Sequence, residues 1–175
     1  MRKAPKSHGS GDFDPDDFRH LGKDVVIEPG VMVFHPENIE LCDRVYIGHN
    51  TILKGYFKGL MKIGAGTWIG QQCFIHSAGG VIVGEAVGIG PGVKIITSEH
   101  GEPAPGEPVI GADLVFGEVS IGDGADIGAG AIILPGAVIG KRVRVGAGAV
   151  VKGVFPDDTV IAGIPAKIVG KRGHG

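Results

Sequence analysis

The chain has 175 residues, enough for one domain with a core, and its apolar fraction of 43% is ordinary for a globular protein. A formal charge of -2 and the lack of a zinc-finger or RRM-type signature exclude a broad basic field, so nucleic acid is not an expected partner. No run approaches about 18 apolar residues, and the start MRKAPKSHGSGDFDPDD is charged where a signal peptide would be apolar, so the expectation is a cytoplasmic protein with no membrane span.

Residues 1–20 are polar and are predicted to be partly disordered, with a short helix near Asp16 to His20. From Leu21 onward an aliphatic residue recurs every six positions: Leu21, Ile27, Val33; Leu41, Ile47, Leu53; Ile63, Ile69, Ile75; Val83, Ile89, Ile95. After a gap it resumes as Ile121, Ile127, Ile133 and Ile139, Val145, Val151. All eighteen positions are Leu, Ile or Val. Taken in threes they make about six coils of a solenoid, a β-helix domain over 21–156, with each hexad forming one side of a triangular coil. Every insertion falls after a third hexad, so extra residues leave from one corner, and the longest insertion is a protruding loop at 101–120.

The residue after the aliphatic one is Gly in ten of the twelve first and second hexads and in none of the third hexads, where Phe34, Lys54, His76, Ile96, Leu134 and Lys152 stand. Much of the chain's stock of 33 glycines is thereby explained, because a residue without Cβ suits tight corners. Stacked coils pair as parallel strands roughly 4.8 Å apart. The hexads predict an all-β fold, a parallel β-helix, but do not give its hand. Residues 157–175 leave the period and are predicted to form a C-terminal cap over one open end. Cys42 and Cys73 lack CxxC spacing and read as buried thiols rather than a disulfide or metal pair.

The hexads, the long loop after TSEH and the ending AGIPAKIVGKR resemble the hexapeptide-repeat acyltransferases, closest to the maltose and galactoside O-acetyltransferase branch and its polysaccharide-modifying relatives. The resemblance covers about residues 21–172. It implies a left-handed parallel β-helix, a homotrimer, and acetyl-CoA (coenzyme A) as co-substrate in a groove between subunits, with a small-molecule acceptor such as a sugar or nucleotide sugar.

On that resemblance IITSEHG places His100 at the family's catalytic position. An imidazole, with an ordinary pKa near 6.5, can take a proton from an attacking hydroxyl or amine and pass it to the leaving thiolate. His76 lies in the third hexad of the preceding coil with Ser77 beside it, and both are read as substrate-binding, together with Glu99. Glu99, Glu102, Glu107, Asp113 and Glu118 are each candidates to orient the His100 ring. For coenzyme A the resemblance points to Gly128, Ala129, Gly146 and Ala147, and to the cations Lys152 and Lys167, with Lys171 and Arg172 beyond them. No metal site is expected.

Two other functions fit the same architecture. A γ-type carbonic anhydrase would bind a metal through three histidines, but no pair here lies five positions apart and His35, His49, His76 and His100 fall in four different coils. A non-catalytic β-solenoid scaffold would need none of these residues. A serine acetyltransferase is expected to carry a helical N-terminal domain, which twenty polar residues do not supply.

Overall fold

In the computed structural model, residues 6–56 and 58–173 are described. Each hexad forms a strand of two or three residues whose aliphatic side chain points inward, and the chain turns after each strand to build the next side. The result is three parallel sheets, one per side, wrapped as a left-handed parallel β-helix.

Side one stacks His20–Leu21, Ile39–Leu41, Met61–Ile63, Val81–Val83, Val119–Ile121, Val138–Ile139 and Val154–Phe155. Side two stacks Val26–Ile27, Tyr46–Ile47, Trp68–Ile69, Gly88–Ile89, Asp126–Ile127, Arg144–Val145 and Thr159–Gly163, with Ala166–Lys171 closing its edge in antiparallel pairing. Side three stacks Met32–Phe34, Ile52–Lys54, Phe74–His76, Lys94–Ile95, Ile132–Ile133 and Val150–Val151. Register pairs such as Leu41 with Ile63, Ile89 with Ile127 and Leu53 with Ile75 put like on like along the axis. These side chains are fully buried and form one continuous core.

The glycine directly after each aliphatic residue is required by approach rather than by dihedral. At Gly122 the backbone φ is ordinary, yet an added Cβ would lie 2.6 Å from the Lys141 nitrogen of the next coil. Positive φ falls two residues further on and is not reserved for glycine: Gly124 takes it, but so do Asn50, Gln72 and Arg142. Aspartates brace the first corner, where Asp43, Asp123 and Asp157 each accept a backbone N–H from the coil before, at 2.8, 3.1 and 2.8 Å.

One expectation about the ends needs correction. The predicted cap from 157 begins inside a seventh, partial coil: Phe155 pairs with Ile139 and Ile161 with Val145, so the stack continues past Val151. The hexad count missed it because Val151 and Phe155 are four residues apart, not six. At the other end, residues 11–18 pack against the first coil. Val33 N–H donates to the Gly11 carbonyl at 2.9 Å, Phe18 is buried, and Phe13 meets Phe18 edge to face at 5.6 Å. The helix there is a single 3-10 turn at Pro15–Asp17, just ahead of the predicted place; residues 1–5 lie outside the described residues.

Replacing Gly122 with Ala should lower stability by roughly 1–3 kcal/mol, since its Cβ meets backbone that cannot give way. Gly111→Ala, where nothing lies within 4 Å of the added atom, should change it little. Thermal unfolding of both variants checks the contrast.

Candidate active site

The long insertion leaves side three of the fourth coil and begins as a strand, Ser98–His100, which pairs antiparallel with Leu114–Phe116. Its base is pinned by Thr97, whose buried hydroxyl donates to the His76 carbonyl at 2.7 Å and accepts the Gly79 N–H at 2.9 Å. The Thr97 carbonyl in turn accepts the Gly117 N–H at 3.0 Å, so both arms of the hairpin are tied to one residue.

His100 ends the outgoing strand, exposed. Its Nδ1 lies 3.3 Å from the carbonyl oxygen of Ala112. A carbonyl only accepts, so this contact places the proton on Nδ1 and leaves the Nε2 lone pair directed away, the arrangement a general base requires. The ring is oriented by a backbone carbonyl, and none of the five candidate carboxylates makes that contact.

Glu99 turns instead to Lys152, with Nζ to Oε1 at 3.3 Å, so two residues expected to serve different ligands are joined across the face. Both remain about half exposed. His76 sits half-buried on side three, stacked over Phe74 at 6.2 Å and edge-on to Tyr56 at 5.7 Å. Burial, and secondarily the charge of neighbouring Lys54, push its imidazole below the usual value. Ser77 is a correction: it is fully buried and its hydroxyl has no hydrogen-bond partner, so it is not placed to meet an acceptor arriving from solvent.

Gly128, Ala129, Gly146 and Ala147 line the corner between sides two and three. An added Cβ at Gly128 would lie 2.5 Å from the Ala147 nitrogen, so the stacking of coils alone demands a glycine there, while Ala129 and Ala147 are exposed small residues beside it. Lys167 pairs across the terminal strands with Ala162, which stacks on Gly146, so it stands at the end of the same corner. Arg172 does not join it, and donates to the carbonyls of Gly124 and Arg142 at the other corner of side two. Within one chain the His100–Lys152 group and the Ala129–Ala147 corner therefore occupy opposite edges of side three, roughly 13 Å apart at about 3.3 Å per residue along a strand.

The residues that sequence reasoning missed are Thr97, Ala112 and Tyr56. The first stands in the TSEH motif itself, whereas the others act through a hairpin register and a ring packing that leave no pattern in the sequence. Cys73 is buried and its thiol is pushed up by desolvation, which makes it a poor nucleophile. Among the described residues no group of three or more His, Cys, Asp or Glu is arranged to hold a metal. Among the described residues no helix is long and apolar enough to cross a membrane.

A family model described as bacterial transferase hexapeptide (six repeats) matches residues 118–153. A putative lipopolysaccharide biosynthesis O-acetyl transferase of Escherichia coli K12 is 32% identical over 82% of this chain and 62% of its own length. A serine acetyltransferase of Mycobacterium tuberculosis is 36% identical over 63% of this chain and 46% of its own length. The chain thus spans less than two thirds of these relatives. Among solved structures, the N-acyltransferase AntD of Bacillus cereus, in complex with dTDP and 3-hydroxybutyryl-CoA, superposes with a TM-score of 0.79 at 24% identity over 90% of this chain and 85% of that one. A hexapeptide-repeat acetyltransferase of Vibrio cholerae complexed with acetyl coenzyme A gives 0.68 at 23%, over 90% and 73%. At that identity the likeness is one of fold.

The lowered His76 value carries a sign. Below the ordinary imidazole value of 6.5 the unfolded chain binds a proton at His76 that the folded chain resists, so stability present above that value is lost as pH falls. Melting temperature should therefore drop more for the unaltered protein than for His76→Gln between about pH 7 and 5. Parallel drops would remove the assignment.

Proposed function

We propose that the chain is a hexapeptide-repeat acyltransferase, a reading supported by the family model over 118–153 and the likeness to the O-acetyl transferase, and that it transfers an acetyl or similar acyl group from coenzyme A to a sugar or nucleotide-sugar acceptor, with His100 as general base. The observation that carries this reading is the His100 ring held at Nδ1 by the Ala112 carbonyl. Its Nε2 accepts the proton of the acceptor hydroxyl or amine as that oxygen or nitrogen attacks the thioester carbonyl. The tetrahedral oxyanion collapses, the C–S bond breaks, and the proton passes to the departing thiolate. Transfer is direct, since Cys73 is buried and Cys42 stands at the first corner, away from the loop.

Coenzyme A is read into the corner of Gly128, Ala129, Gly146 and Ala147, where backbone groups and small side chains leave a channel for the pantetheine arm, with Lys167 at its nucleotide end. A backbone N–H near Ala129 is the proposed oxyanion donor. Lys152, paired with Glu99, reaches the phosphates or the acceptor from the far edge of side three. His76 and Glu99 are the proposed acceptor contacts. AntD, in complex with a dTDP-sugar and coenzyme A, supports an acceptor of that class. Coenzyme A as co-substrate favours a cytoplasmic enzyme.

Since one chain holds the base and the coenzyme corner at opposite edges of side three, a complete site takes its halves from two copies. Side three offers apolar area for burial between them, because beside Lys54, Lys94 and Lys152 it presents Ile52, Phe74, Ile96, Ile132, Leu134 and Val150, which are only half-covered. The hairpin adds exposed Leu114, Val115 and Phe116. These surfaces support a homotrimer around a threefold axis.

Light scattering at micromolar concentration should give three times the chain mass of 18.0 kDa, and a monomeric mass would undo the shared site. A screen of coenzyme A release over sugars and nucleotide sugars tests the reaction. With the acceptor found, His100→Ala should keep its mass and acetyl-CoA binding but lose about 10²- to 10⁴-fold in turnover; near-normal turnover would make His100 a bystander.

A further inference from the structure

Side two presents one outward residue per coil, and the column runs Val26, Tyr46, Trp68, Gly88, Asp126, Arg144, each in register with the next. Tyr46 and Trp68 stack with ring centroids 5.5 Å apart and planes 2° from parallel. The Tyr46 hydroxyl donates to Glu28 at 3.2 Å, which fixes its ring. Trp68 is 42% exposed, and its second face turns toward the next coil. There the column holds a glycine.

Gly88 is unlike the corner glycines. Its φ is ordinary, and an added Cβ would meet only Asp126 Oδ1 at 3.5 Å, an ordinary contact. A strand glycine sacrifices conformational entropy and packing, and commonly marks a place where something approaches the backbone closely. Neither fold nor dihedral requires it here. What it leaves is the third position of an aromatic stack, open to solvent, with Asp126 and Arg144 on the far side. Those two are loosely paired at 3.6 Å and well exposed, so each keeps hydrogen-bonding capacity for a ligand.

We propose that this column is a saccharide-binding platform: a pyranose ring sits over Gly88 with its C–H face on the indole of Trp68 and its hydroxyls on the carboxylate of Asp126 and the guanidinium of Arg144. The axial C–H groups of a pyranose carry slight positive charge and meet the negative face of the indole. Neighbouring sugar hydroxyls both donate and accept, which matches an acceptor-only carboxylate beside a donor-only guanidinium. A nucleotide suits the column less, because its phosphates would face the carboxylates of Glu28 and Asp126. The platform lies on side two, away from His100 on the hairpin that leaves side three, and does not depend on the acyl-transfer reading. For an enzyme acting on a glycan it would hold a length of chain beside the reacting unit.

The sequence contains one tryptophan, so intrinsic emission reports on this place directly. The full chain is titrated with maltohexaose, cellohexaose and chitohexaose, with dTDP as a nucleotide control. A saturable change in emission with an oligosaccharide is expected, abolished in Gly88→Val, which fills the place, and retained in His100→Ala. Mass and melting temperature of Gly88→Val are measured alongside; should that variant not fold, calorimetry on Trp68→Ala takes its place and should show no binding. The proposal is overturned by the lack of a saturable response to any of the three sugars, by a response to dTDP alone, by a response that survives Gly88→Val, or by one lost in His100→Ala. It is equally overturned if Gly88→Val or Trp68→Ala lowers the oligomeric mass, because the place would then belong to a second copy of the chain.

Discussion

Coils of this protein can approach one another only to the spacing of paired parallel strands, about 4.8 Å, and the rest of the structure follows from that constraint. One inward aliphatic residue per side fills the axis, so the sides cannot lengthen without breaking three columns of stacked side chains. The corners cannot thicken either, because a Cβ at Gly122 or Gly128 would reach the backbone of the coil above. Additional chain leaves after the third side, the corner at which every insertion falls. That is why the hairpin and His100 arise at one edge.

The same constraint decides how much the sequence discloses. The eighteen aliphatic positions announce the axis, since they recur every six residues and each stacks on its counterpart one coil on, and the insertions mark the decorated edge without any coordinates. The ends were illegible for the opposite reason. Phe155 and Ile161 rejoin the stack after a corner shortened by two residues, and Gly11, Phe13 and Phe18 cover the open end through single contacts that have no period. His100 stands in the TSEH motif, but the group that orients it is a carbonyl brought round by a hairpin, and a carbonyl has no residue type. Ser77 misled because adjacency to His76 says nothing of inside and outside at a corner.

Two histidines on neighbouring coils illustrate how environment separates roles. His76, half-buried between Phe74 and Tyr56 and close to Lys54, is held neutral by desolvation and a like charge. His100 is exposed and is held by geometry alone, through one hydrogen bond at Nδ1. A side chain that is to take up a proton gains from a fixed ring and an open nitrogen. A ring that resists protonation serves better as a shaped, uncharged wall. The structure distributes those properties between the two positions.

The pair of Glu99 with Lys152 joins the hairpin to the sixth coil, residues far apart in sequence, and its position matters more than its strength. An exposed ion pair contributes about 0–1 kcal/mol, too little to count among the forces that hold the solenoid, whose core would stand without it. A bond that weak opens readily when either partner is offered a better one. Glu99 neighbours His100, and Lys152 follows the strand Val150–Val151 of side three. The pair is thus a weak tie between the hairpin and the sixth coil, open to exchange whenever either side chain meets another partner.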